Sequence, residues 1–113
     1  MKESLAGFAA IYRWRLHPGM EAQFIEAWTR ISELYLYRYG SLGSRLHRGP
    51  DDIWYSYAQW PNEASRESAF LVDTLDTEAG ELMREAIAET FPEIVLEPIV
   101  DLIVPTRRTK TES

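Results

Sequence analysis

The sequence contains no cysteine in its 113 residues. That excludes disulfides, thiolate metal sites and cysteine nucleophiles together. Histidine is nearly missing too, with only His17 in a turn and His47 beside Arg45 and Arg48. A metal site would need carboxylates gathered from several elements, and no H-E-x-x-H or comparable spacing gathers them. There is no G-x-S-x-G elbow and no glycine-rich phosphate loop. No run approaches the roughly 20 apolar residues that span a bilayer. The N-terminal MKESLAGFAA has no long apolar core of the secretory kind. The expectation is a cytoplasmic protein without membrane contact, metal or cofactor.

Positive charge is scarce in the second half. Residues 51–113 carry five Lys/Arg against fourteen Asp/Glu, residues 1–50 carry seven against four, and the formal net charge is −6. A nucleic-acid binder would show a basic footprint, so that partner class is not expected. Aromatic residues are plentiful instead: four Trp, six Tyr and four Phe. So much ring area in a small domain must lie in the core, at an interface or around an apolar ligand.

The length fits one domain. Residues 7–17 alternate as a strand, with Phe8, Ala10, Tyr12, Trp14 and Leu16 on one face and Ala9, Ile11, Arg13, Arg15 and His17 on the other. The aromatic parity is read as facing the helices and the arginine parity as facing a partner. After the His17-Pro18-Gly19 break, Met20, Phe24, Ala27, Trp28, Ile31, Leu34 and Tyr35 form a helical stripe that ends near Gly40. Residues 42–48 read as a weaker strand, Gly49-Pro50-Asp51-Asp52 as a turn and IWYSYAQW, 53–60, as the strongest strand. Asn62 is the expected cap of a helix over 63–71. An interruption near Val72-Asp73-Thr74 precedes more helix to about residue 90, and a last strand spans 94–104, with Pro98 at a bulge or edge.

The order β-α-β-β-α-β, with a strand–proline turn–helix repeat, predicts an α+β, ferredoxin-like domain over 7–104 with a four-stranded antiparallel sheet. Residues 1–6 form an N-terminal segment, and 105–113 are expected to be a disordered tail. Two helices cover one sheet face only, while large rings sit on both parities of the 53–60 strand. A homodimer through the open face is therefore expected. Glu78, Glu81, Glu85 and Glu89 read as a solvated helix face. Arg84 among them either pairs with Glu81 or Glu85, or holds an oxyanion.

YAQW followed by a capped helix, together with the RLHPGMEAQF turn, resembles the antibiotic biosynthesis monooxygenase-like family of the dimeric α+β barrel superfamily. The resemblance covers about residues 7–104. It implies a subunit pair forming a barrel, with a pocket between sheet and helices in each subunit. Its nearest form is the cofactor-independent anthrone monooxygenases, where a proton leaves a phenolic tricycle and the carbanion reacts directly with dioxygen. The family's strand tryptophan corresponds to Trp60. Ser56 stands where the family has Asn, Arg66 where it has Tyr, and Arg84 in ELMREA corresponds to its later arginine. The resemblance thus implies Trp60, Ser56, Arg84 and Arg66 as catalytic residues, and Trp54, Tyr12, Trp14, Trp28 and Phe70 as the lining of a site for a small aromatic or apolar ligand. Haem-degrading relatives match less, since no histidine follows His47 and no tryptophan follows Trp60. The alternative is a non-catalytic dimeric barrel that binds a small apolar ligand, or acts only through its dimer, with Trp14, Trp28, Trp54 and Trp60 themselves filling the pocket. Haem binding is the lesser alternative.

Overall fold

The computed structural model describes residues 7–71 and 76–104. Strand β1, Phe8–Leu16, leads into helix α1, Glu21–Arg38. Strand β2, Gly43–Arg48, a single 3₁₀ turn at Pro50–Asp52 and strand β3, Ile53–Trp60, follow. Helix α2, Glu63–Phe70, helix α3, Thr77–Ala86, and strand β4, Ile87–Leu96, complete the chain. The four strands form one antiparallel sheet in the order β2-β3-β1-β4. This is the ferredoxin-like arrangement that the element order implied.

Local chemistry explains the breaks. Pro61 cannot extend the ladder, and the Asn62 side chain accepts the Ser65 N–H at 2.8 Å to start α2. Asp76 does the same for α3 through Ala79 N–H at 2.9 Å. Gly40, at φ +88°, follows the last turn of α1, where a residue with a Cβ would be strained. The turn before β3 uses Asp51 and Asp52 at φ 60° and 58°, a conformation that aspartate tolerates better than most residues.

The register sets the faces. Phe8 lies opposite Trp60, Ala10 opposite Ala58, Tyr12 opposite Ser56 and Trp14 opposite Trp54. All eight share the face turned to the helices, where Ser56 is buried and the other seven join two hydrophobic clusters. Arg13 and Arg15 lie on the opposite face beside Tyr55 and Ile53. The helices cover only the first of these faces.

The last helix ends, and the last strand begins, earlier than the sequence spacing suggests. The expected helix to residue 90 stops at Ala86, and the expected strand over 94–104 is β4 at 87–96. Ala86, Ile87 and Thr90 satisfy a helical period, but β1 offers this segment a ladder. Leu16 pairs with Ile87 and Trp14 with Thr90, while His17 N–H donates to Ala86 O at 2.8 Å. Pro92 then forbids continued helix. It is tolerated in β4 because β4 is an edge strand. Ile11 pairs with Ile94 and Arg13 with Phe91, so Tyr12 alone faces both Pro92 and Glu93, a β-bulge. Pro98 follows the strand rather than bulging it. The expected interruption at 72–74 and the tail 105–113 lie outside the described residues.

Candidate functional site

Strand β3 builds the floor of the site. Its alternation buries Trp54, Ser56, Ala58 and Trp60, and it leaves Ile53, Tyr55, Tyr57 and Gln59 partly exposed on the other face. Ser56 and Ala58 are small, so the helices can bring rings over them. Above Ser56, α1 supplies Trp28, whose indole Nε1–H donates to Ser56 Oγ at 3.0 Å.

The expected site residues divide between two clusters. Around Phe24, Trp14 and Trp54 pack edge-on at centroid distances of 5.2 and 5.9 Å, with Trp28, Met83 and Ala86 alongside. Around Trp60 lie Phe8, Ala58 and Ala69, with Tyr12, Tyr35 and Tyr39 against them. Phe70 lies at 6.2 Å from Trp60 and 5.4 Å from Tyr35, and Tyr35 lies at 5.7 Å from Trp60. Tyr12 joins the two clusters by stacking on Trp14 at 6.3 Å.

Arg66 is the unusual member of the second cluster. Helix α2 turns it inward, leaving its side chain 8 % exposed. Its Nη1 donates to Tyr12 Oη at 3.1 Å and to Glu93 Oε1 at 2.8 Å. The guanidinium lies over Phe8 at 4.8 Å and Phe70 at 5.4 Å, which suits a cation on aromatic faces. Burial works against its charge, but the bonds to Tyr12 and Glu93 outweigh that and hold its pKa above the usual value. Burial also raises the Tyr12 phenol, against the opposing pull of Arg66, and burial raises Tyr35. Both phenols therefore stay protonated at neutral pH.

Two buried donors in this cluster have no acceptor among the described residues: Trp60 Nε1 and Arg66 Nε. Such an orphan typically costs about 1–3 kcal/mol. Trp60 is only 2 % exposed, and Phe70, 47 % exposed at the end of α2, has its ring against both Trp60 and the Arg66 guanidinium. A groove of 340 Å³ is lined by Tyr39, Ala64, Ser65, Ser68 and Ala69. It meets the Trp60 cluster through Tyr39 and Ala69 and does not reach Ser56.

Arg84 lies exposed on α3, its Nη1 beside Gly80, and it makes no hydrogen bond or ion pair among the described residues. The structure does not bring it to Arg66 and Trp60. Glu93 is the residue that sequence reasoning missed, because it falls between the helix expected to about residue 90 and the strand expected over 94–104, whereas β4 carries it at 87–96. The usable signal was Pro92, which marks a bulge that re-aims its neighbour. Among the described residues, no three metal-binding side chains converge, and no helix is long and apolar enough to cross a membrane.

No family model and no curated protein matches the chain. Solved structures do. One is a candidate antibiotic biosynthesis monooxygenase from Chloroflexus aurantiacus, with a TM-score of 0.71 at 16 % identity, covering 87 % of this chain and 98 % of that one. Another is SnoaB, a cofactor-independent oxygenase from Streptomyces nogalater, at 0.71 and 14 %, covering 86 % and 97 %. A third is a monooxygenase from Streptomyces coelicolor solved with the ligand nanaomycin D, at 0.70 and 21 %, covering 92 % and 96 %. At these identities the likeness is one of architecture: this chain has the fold of the antibiotic biosynthesis monooxygenases.

Proposed function

We propose that the protein is a cofactor-independent monooxygenase that oxidises an electron-rich, polycyclic phenol with dioxygen. The observation that carries this reading is the Trp60–Arg66 cluster. It places buried, unsatisfied N–H donors among aromatic rings, in a fold shared with a cofactor-independent oxygenase. Removing a proton from a phenolic tricycle leaves negative charge on oxygen, and fixed donors in a water-poor setting stabilise that charge as it develops. Trp60 and Arg66 supply those donors. The Ser56 hydroxyl, already an acceptor for Trp28, still has its own proton to donate. Arg84 is too far out on α3 to share this role without movement. The ligand takes the place of the Phe70 ring, the wall between Arg66 and solvent. Oxygen uptake with a dihydroxyanthrone tests the reading. Trp60→Phe with Ser56→Ala is expected to slow uptake, and equal rates would sink the site assignment.

A second reading is a non-catalytic barrel that binds an apolar ligand. The close packing of Tyr35 and Phe70 on Trp60 favours it. Anthrone quenching of tryptophan fluorescence with no oxygen uptake would select it, and haem binding would declare itself as a Soret shift. Both readings include a homodimer through the open sheet face. The half-buried Tyr55 and Tyr57 on that face and the exposed Ile99, Leu102 and Val104 after β4 support this. Light scattering at the monomer mass of 13.1 kDa would overturn it.

A further inference from the structure

The monooxygenase reading leaves one chemical need unmet: some group must take the proton from the substrate carbon. We infer that Glu93 is that proton acceptor. The inference rests on the monooxygenase reading and goes beyond it. The Trp60 indole and the Arg66 guanidinium only donate, and the Ser56 hydroxyl, already the acceptor for Trp28, is too weak a base to take the proton. The phenols cannot do so readily either. Burial raises both Tyr12 and Tyr35, so neither is an anion at neutral pH.

The geometry singles out Glu93. The bulge that sets Pro92 and Glu93 opposite Tyr12 lets this edge-strand residue reach the helix-covered side of the sheet. There Glu93 Oε1 is fixed by Arg66 Nη1 at 2.8 Å, while Oε2 accepts no hydrogen bond from the described residues. One oxygen is thus oriented and the other is available. With its side chain 39 % exposed, Glu93 can pass a proton on to water. Glu63, the other carboxylate near Arg66, stands at 4.0 Å with a 58 % exposed side chain and is neither oriented nor close. The charge opposite matters as well. Arg66 holds the carboxylate and offers a free Nε–H to the oxyanion that the same step creates.

The step balances as follows. A methylene C–H of the substrate breaks, its proton goes to Glu93 Oε2, and the electron pair spreads onto the ring oxygen beside Trp60 Nε1 and Arg66 Nε. The carbanion forms a C–O bond to dioxygen, giving a peroxide that is protonated to the hydroperoxide. Loss of the remaining C–H proton and cleavage of the O–O bond release water. The methylene becomes a carbonyl, and dioxygen is reduced to the carbonyl oxygen and one water.

The test separates proton transfer from oxidation. The full-length protein is mixed with a dihydroxyanthrone in deuterium oxide without oxygen, and loss of the methylene proton signal is followed by NMR. Oxygen uptake is measured in parallel in air. Wild type is expected to speed exchange above the buffer rate, and Glu93→Gln to lower the protein-dependent rate by about a hundredfold. The amide oxygen of that variant can still accept from Arg66, so its melting temperature and its fluorescence quenching by the anthrone should stay those of wild type. Glu93→Asp should recover part of the rate. Equal exchange in wild type and Glu93→Gln, or none in wild type, overturns the inference. Glu93-dependent exchange without oxygen uptake upholds the proton acceptor and sinks the monooxygenase reading. Uptake indifferent to Glu93 does the reverse.

Discussion

Two aromatic clusters lie side by side on one sheet face, and they are built on different terms. The Phe24 cluster is settled: Phe24 is fully buried, its neighbours Trp14 and Trp54 meet it edge-on, and the nearby Trp28 indole has its acceptor in Ser56. The Trp60 cluster has as much ring area but contains a buried guanidinium and two donors without acceptors. A domain seeking stability alone would fill this site with apolar residues in place of Arg66 and Glu93 together, since replacing a whole buried ion pair in this way is often neutral or stabilising. On the proposed function, the difference separates the part of the sheet that holds the fold together from the part that would receive the ligand.

The sharpest way to break the comparison is to cut each cluster at its centre. Phe24→Ala should cost about 3–5 kcal/mol in denaturant unfolding, because a rigidly surrounded ring leaves a cavity. If the loss is under about 1 kcal/mol, Phe24 is not the anchor of a settled core. Arg66→Met should cost less, about 1–2 kcal/mol. It leaves Tyr12 and the partly wet Glu93 without their donor but removes a buried charge. The same variant should abolish anthrone oxidation, and full activity with lower stability would make Arg66 a structural residue. The smallest effect is a pH limb. A raised tyrosine pKa gives stability that is complete below the ordinary value of about 10 and is lost as pH rises through the folded value. Tyr12 and Tyr35 both belong to the Trp60 cluster, so its alkaline lability should soften in Tyr12→Phe, read as a flatter fall of the melting temperature above pH ~10. An unchanged slope would show that the Tyr12 phenol does not couple to folding.

Several of these features were legible in the sequence because they are local. The period-2 run IWYSYAQW fixed which side chains share a face, and that alternation survives folding unchanged. Asn62 after Pro61 marked a cap whose hydrogen bond spans three residues. The switch from α3 to β4 was not legible. Ala86, Ile87 and Thr90 satisfy a helical period, and only the ladder offered by β1, distant in sequence, turns the segment into a strand. Arg84 and Arg66 looked interchangeable in sequence, each an arginine in an amphipathic helix. Helix α2 packs Arg66 against Phe8 and Phe70, whereas Arg84 points out from α3.

The sequence by itself therefore determined the periodicities, the caps and the breaks, since these depend on residues a few positions apart. It also determined that Trp60, Ser56 and Ala58 would lie together on one face of β3. The tertiary structure decided which charges meet. Arg66, Tyr12 and Glu93 are separated by up to 81 positions, and no local pattern relates them. They come together because an antiparallel ladder with one extra residue turns a glutamate on an edge strand toward a helix packed above the sheet.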